Sequence, residues 1–347
     1  MWTREHEERH EQLRLLKERI SDQYLGRDDV TGIGVGFKEV GGRETDELVI
    51  RFHVRRKGNV TKDNAIPREI EGVRTDVIET NFETDAMPAT VDPIVAEFGP
   101  PDTSMYIMLS GGMSVGATRV EKDATGNPIG GTLGLVVLDT ATNDPMILSN
   151  YHVLCCNDGK DATGNEICQP ARVDHGGRAL VCATLRAPWA VGTPDGSQYG
   201  MDAAVARLTD LRASKLSFVL GVGGVVFVPN LELRPGMVVH KRGRTTKLTY
   251  GKIAETNSDE KFDYKGAAGQ KTLKNQFLIM PSKSPKGVPY STFGSGGDSG
   301  AVVLCMIKDG KPPAVVGLYW GGSSTGLAIA SPIGPILNQL KIRIYSE

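Results

Sequence analysis

The stretch Gly296-Gly297-Asp298-Ser299-Gly300 sets a serine hydroxyl among glycines, where the backbone can take unusual dihedrals and approach a ligand closely. A serine hydroxyl attacks weakly until a neighbouring base takes its proton. His152, in Leu148-Ser149-Asn150-Tyr151-His152-Val153, ends an apolar strand that can hold an imidazole in place. A carboxylate should then fix the imidazole tautomer and stabilise its charged form. Asp202, in Gly200-Met201-Asp202-Ala203-Ala204-Val205-Ala206, starts a small-residue apolar strand and suits that place. Asp195 is the nearest rival, but its Pro-Asp-Gly setting is explained by turn formation alone. An isolated Gly-Asp-Ser-Gly is usually a turn. Together with an ordered His and Asp it reads as a nucleophile.

Three kinds of element must position these groups. Residues 5–25 have a helical period, with Leu13, Leu16, Ile20 and Tyr24 on one face and Gly26 as the expected C-cap. The first twelve residues are nearly all polar, so that end is solvated or fitted to a partner. Residues 32–37 and 47–54 read as strands around the Gly41-Gly42 turn. A further strand is expected over 73–78, and a proline-bearing linker over about 81–103. The Gly32-Ile33-Gly34-Val35-Gly36 run lacks the helix and spacing of a dinucleotide loop and reads as a strand. After Met105 the pattern becomes short strands with frequent turns, including Thr132–Leu138, as in a sandwich or barrel. The hexapeptide Lys-Asp-Ala-Thr-Gly-Asn, at 122–127 and 160–165, is too short for a structural repeat and reads as surface turns. Ser331-Pro332 is expected to open a short closing helix.

The order His, Asp, Ser, with spacings of 50 and 97 residues, resembles that of the trypsin/chymotrypsin superfamily. Residues 149–153, 202–205 and 297–300 resemble its three catalytic motifs. Lys241-Arg242-Gly243-Arg244-Thr245-Thr246 resembles the hairpin that opens the second barrel in bacterial relatives. Leu318-Tyr319-Trp320-Gly321-Gly322 resembles the segment that pairs with substrate backbone. Gly131-Thr132-Leu133-Gly134 ahead of Ser-Asn-x-His is most similar to intracellular bacterial and plant proteins of the narrow-leaf type. The resemblance covers roughly 105–345 and implies a mainly β, chymotrypsin-like double β-barrel preceded by a small α+β N-terminal domain. The implied divisions are 1–95, 105–212 and 213–347. It further implies Ser299 as nucleophile, His152 as proton shuttle, Asp202 as its orienter, and the N–H groups of Gly297 and Ser299 as the oxyanion hole. Phe293, six residues before Ser299, falls where the specificity pocket has its base and disfavours a Lys or Arg side chain there. Phe293, Tyr319, Trp320 and Gly321 are thus the implied substrate-binding residues.

The bulk properties agree with this reading. Charged residues make up 23% of the chain and hydrophobic residues 39%, as in ordinary globular proteins. With 40 basic and 41 acidic side chains, nothing calls for nucleic acid or an anionic membrane. The five cysteines are an odd number, unlike a secreted disulfide framework. Without an apolar leader in the sequence as given, a cytoplasmic location with reduced thiols is expected. No Cys-x-x-Cys pair suggests zinc, and buried thiols are the reading for Cys155, Cys156, Cys168, Cys182 and Cys305. The basic runs 55–57 and 241–244 read as solvated strand ends. The expected activity is endopeptidase hydrolysis through an acyl-enzyme, with a peptide or protein substrate and no metal or nucleotide cofactor. The rival readings are a peptide-binding module without turnover and a serine esterase. The N-terminal domain is read as recruiting substrate or forming a homo-oligomer.

Overall fold

The computed structural model describes residues 2–58, 65–84, 97–119, 130–176, 178, 180–307, 310–323 and 325–345. The helix α1 (Arg4–Leu25) begins with a capping box in which the Thr3 side chain accepts from the His6 N–H, and it ends at Gly26. Five strands follow: β1 (Val30–Val40), β2 (Arg43–Val54), β3 (Glu69–Ile70), β4 (Val73–Glu79) and β5 (Phe82–Thr84). Gly41 and Gly42 both have positive φ, 59° and 75°, as a two-residue primed hairpin turn needs. Leu13, Leu16, Ile20 and Leu25 of α1 pack on Val30, Ile33, Val35, Ile50 and Phe52 of the hairpin.

The next ten strands are β6 (Met108–Gly111), β7 (Ser114–Ala117), β8 (Gly131–Thr132), β9 (Leu135–Asp139), β10 (Pro145–Ser149), β11 (Glu166–Cys168), β12 (Val181–Gly192), β13 (Met201–Leu208), β14 (Ala213–Val219) and β15 (Gly223–Gly224). The expected strand 132–138 is broken at Leu133-Gly134. A Cβ on Gly134 would stand 2.4 Å from the Gly300 carbonyl, so the loop after Ser299 presses into that gap. Because β8 and β9 are successive parts of one run, the pairings β7–β8, β9–β10, β10–β13, β13–β12, β12–β11 and β11–β7 close on themselves. The short helix α2 (Tyr151–Leu154) carries His152 directly out of β10.

The remaining strands are β16 (Val238–Gly243), β17 (Lys247–Asp263), β18 (Gln270–Pro281), β19 (Val302–Cys305), β20 (Ala314–Ser323), β21 (Ala328–Pro332) and β22 (Ile342–Arg343). The antiparallel pairs β16–β17, β17–β18, β18–β21, β21–β20, β20–β19 and β19–β16 form a second closed ring. A closing helix α3 (Ile333–Leu340) follows, with Pro332 rather than Ser331 as its N-cap. Its Ile336 and Leu340 share a core with Leu135 and Val205 of the first ring and Leu304 and Leu318 of the second. The two rings are therefore joined by apolar packing, and β22 returns to pair with β9. Among the described residues no helix is long and apolar enough to cross a membrane. The first hexapeptide copy lies outside the described residues, and the second forms a largely exposed turn.

The N-terminal hairpin is continuous with the second ring, because β1 pairs antiparallel with the outer half of β17. Polar side chains are buried along this seam. His53 Nδ1 lies 2.7 Å from Glu260 Oε1, its Nε2 lies 3.1 Å from Glu255 Oε1, and all three side chains are inaccessible to water. Arg51 reaches Glu255 at 3.2 Å, and Lys17 of α1 reaches Asp259 at 2.5 Å. The glycines of β1 make room for these carboxylates: a Cβ on Gly32 would sit 2.0 Å from Glu260 Oε2. The Gly-x-Gly-x-Gly run is thus a strand, kept bare by close approach.

Burial alone would lower the pKa of His53, but the Glu255 and then the Glu260 carboxylate overcome it and raise the value to about 10. The stabilisation from charged His53 is complete below the unfolded value of 6.5 and is lost as pH rises through about 10. The melting temperature should therefore fall across that window. In His53→Gln it should be lower at neutral pH and nearly flat over the same range. Equal alkaline slopes for the two proteins in scanning calorimetry would refute this assignment.

Candidate active site

Asp202 and His152 meet where β13 runs beside the end of β10. His152 Nδ1 and Asp202 Oδ2 are 2.6 Å apart, and the His152 N–H donates to Asp202 Oδ1 at 3.2 Å. The Asp202 side chain is inaccessible, while that of His152 is 15% exposed. Two contacts on one carboxylate fix both the imidazole and the backbone that carries it. Asn150 Nδ2 donates to the Asp202 carbonyl at 2.6 Å and ties the two strands a second time. The other ring nitrogen, Nε2, is buried and has no hydrogen-bond partner among the described residues.

Ser299 comes from the second ring and is held against the first by backbone contacts. Its carbonyl accepts from the Thr132 N–H at 2.8 Å, and the Thr132 carbonyl accepts from Ser149 Oγ at 2.8 Å, three residues before His152. Gly300 has φ 96°, and a Cβ there would lie 2.1 Å from Ser149 Oγ. Only glycine fits that crossing. Ser299 Oγ donates to the Trp320 carbonyl at 3.2 Å and is not bonded to His152. The Asp298 and Gly300 N–H groups donate to Ser295 and Tyr319 carbonyls. Among the described residues, those of Gly297 and Ser299 donate to no protein acceptor.

Asp298 is fully buried and shapes this loop. Its Oδ2 accepts from Lys241 Nζ at 3.1 Å and from Thr246 Oγ1 at 2.6 Å. Its Oδ1 accepts from the Thr245 N–H at 2.8 Å. The basic run 241–244 is therefore not a solvated strand end. Lys241, Arg242 and Arg244 are buried, and the two arginines pair with Asp102 and Asp174. A strand pattern with charges at its end cannot reveal carboxylates that arrive from distant segments.

The other expected site residues lie nearby, but their side chains face inward. Phe293 and Tyr319 are fully buried in the second ring's core, with ring centroids 6.1 Å apart. Trp320 is buried against Phe262, and its Nε1 donates to Gln276 Oε1 at 3.0 Å. No sequence signal pointed to Gln276, because its role depends on the Trp320 indole and the Ser331 hydroxyl, which also donates to it. Gly321 is paired with Thr84, Gly322 with Glu83 and Ser323 with Phe82, so β5 lies antiparallel along this edge. Residues 82–84 are thus a strand inside the stretch read as a linker. Glu97, in the same stretch, accepts from the Ser291 N–H at 3.0 Å. All five cysteines are buried and unbridged, and burial pushes the Cys156 thiol up to about 12.

Removing Lys241 would leave the Asp298 carboxylate buried without its cation, a change that costs about 3–5 kcal/mol. Lys241→Met should unfold at much lower denaturant and lose whatever reactivity Ser299 has, and adding Asp298→Asn should recover part of the stability. Wild-type stability of the single variant in urea titrations would show that this pair does not hold the loop.

Residues 224–344 match the model of Peptidase family S64. No curated protein matches the chain. Among solved structures, Thermobifida fusca Protease A is similar at 17% identity and a TM-score of 0.44, over 69% of this chain and all of that one. The Cellulomonas bogoriensis chymotrypsin gives 18% identity and a TM-score of 0.43, over 69% of this chain and 98% of its own. Over residues 224–344, then, the chain is similar to Peptidase family S64.

Proposed function

We propose that this protein is a serine endopeptidase that works through an acyl-enzyme, with Ser299 as nucleophile, His152 as base and Asp202 orienting the base. The observation that carries the reading is the Asp202–His152 pair at 2.6 Å, whose outer nitrogen Nε2 has no partner among the described residues. A base in that state accepts a proton from a hydroxyl brought to it. For this, Ser299 Oγ has to give up its hydrogen bond to the Trp320 carbonyl. His152 takes its proton as Oγ attacks the scissile carbonyl, and returns it to the leaving amine. Water then repeats the sequence to release the acyl group. The N–H groups of Gly297 and Ser299 are the donors for the oxyanion, each worth roughly 3–4 kcal/mol in such sites.

The peptide backbone is assigned to the edge Gly321–Ser323, and the buried side chains of Phe293, Tyr319 and Trp320 set that edge in place rather than touching substrate. This edge is already paired with Phe82–Thr84, so a peptide binding there competes with β5.

A fluorophosphonate probe should label Ser299 stoichiometrically. Ser299→Ala should remain unlabelled, and His152→Ala should slow labelling by at least a thousandfold, the order expected when a triad member is lost. Equal labelling of wild type and Ser299→Ala would remove the basis for the reading and favour a module that binds without turnover. Proline at 83 cannot donate in a β-ladder, so Glu83→Pro should lower KM for peptides and leave kcat unchanged. An unchanged KM would mean that substrate does not use the Gly321–Ser323 edge.

A further inference from the structure

The hairpin of β17 and β18 is longer than the second ring requires, and its tip meets the first ring just beyond His152. Asn157 clamps that tip: its Nδ2 donates to the Tyr264 carbonyl at 2.8 Å, its Oδ1 accepts from the Ala268 N–H at 2.7 Å, and its carbonyl accepts from the Ala267 N–H at 3.0 Å. The clamp buries Tyr264. Its ring packs edge-on to Phe262 at 4.5 Å, and Phe262 packs in turn on Trp320, whose carbonyl holds Ser299 Oγ. The same apolar cluster includes Val191, the cross-strand neighbour of Asp202. The Tyr264 hydroxyl is buried and, among the described residues, has no hydrogen-bond partner, a costly state for a polar group unless an acceptor is at hand. Each Asp202 oxygen already takes one contact from His152 and has a second lone pair free.

We propose that Tyr264 is a positioning residue of the active site: its phenol donates to the Asp202 carboxylate and fixes the Asp202–His152 pair from the second ring. This rests on the peptidase reading only for its effect on turnover. Burial, followed by the Asp202 carboxylate, holds the phenol's pKa well above 10, so the group is a proton donor throughout the working range. The charged and titratable neighbours of the pair are Tyr151, Cys155 and Asp161 on the first ring, with Arg119 paired to Asp161. All remain in place in a Tyr264→Phe protein.

The test is Tyr264→Phe in the full chain, which keeps the ring and removes only the hydroxyl. One hydrogen bond to a charged group corresponds to roughly a tenfold change. We expect kcat to fall about tenfold with KM unchanged. Without the phenol the carboxylate holds the imidazolium more tightly, so the acid limb of the pH–rate profile should move to higher pH. The His152 Nδ1–H proton resonance should move as well, and this reading needs no turnover. Fluorotyrosine at position 264, a stronger donor of the same shape, should shift the acid limb the opposite way. Wild-type kcat, an unmoved acid limb and an unmoved His152 resonance in Tyr264→Phe would overturn the assignment. A wild-type protein without a Ser299 adduct would instead sink the peptidase reading, and the His152 resonance would still decide the contact.

Discussion

Asp298 is a carboxylate with no access to water, and the shape of the Ser299 loop follows from how its charge is met. One oxygen faces the Lys241 ammonium and the Thr246 hydroxyl, and the other faces the Thr245 N–H. A buried charge is tolerable only when paired and hydrogen-bonded on all sides. Apart from the Ser295 N–H of its own loop, these partners lie on the single hairpin that opens the second ring. The loop and the hairpin therefore cannot move separately. With Asp298 anchored, Gly297 and Gly300 turn the chain so that Ser299 lies against Thr132 and Ser149 of the first ring.

The same principle, charge held in a dry interior by a fixed set of partners, recurs at the seam between the N-terminal hairpin and β17. There His53, Glu255, Glu260 and Arg51 sit together without solvent. The N-terminal elements are for this reason integral to the sheet of the second ring. Their strand β5 reaches the edge beside Trp320, so the N-terminal chain and the candidate cleft are physically linked.

Much of this was legible in the sequence. His152 and Asp202 stood out because each sits at the end of an apolar strand, and Ser299 because glycines flank it; the first two do meet at 2.6 Å. The apolar face of α1 was readable from its period, and the Gly41-Gly42 hairpin from its turn chemistry. What was not legible depends on contacts between distant segments. Lys241 reads as a surface cation until Asp298, 57 residues later, is folded against it. The glycines of β1 read as a strand, but why they must be glycine shows only when Glu260 fills the space where a Cβ would be. Phe82–Thr84 reads as linker because three residues carry no period, and its pairing partner lies on β20. Phe293 reads as a pocket base by its position, but an aromatic ring among Val239, Ile279 and Tyr319 is core.

The proposed mechanism requires a covalent acyl intermediate on Ser299, formed with help from His152 and Asp202. Its most direct measurement is the pre-steady-state release of nitrophenol from a nitrophenyl ester, followed by acid trapping and peptide mapping of the acylated chain. The proposed mechanism gives a burst of one equivalent per chain, with the acyl mass on the peptide that contains Ser299 and no burst in Ser299→Ala. Linear release without a burst from wild type, together with an unmodified Ser299 peptide, would contradict it.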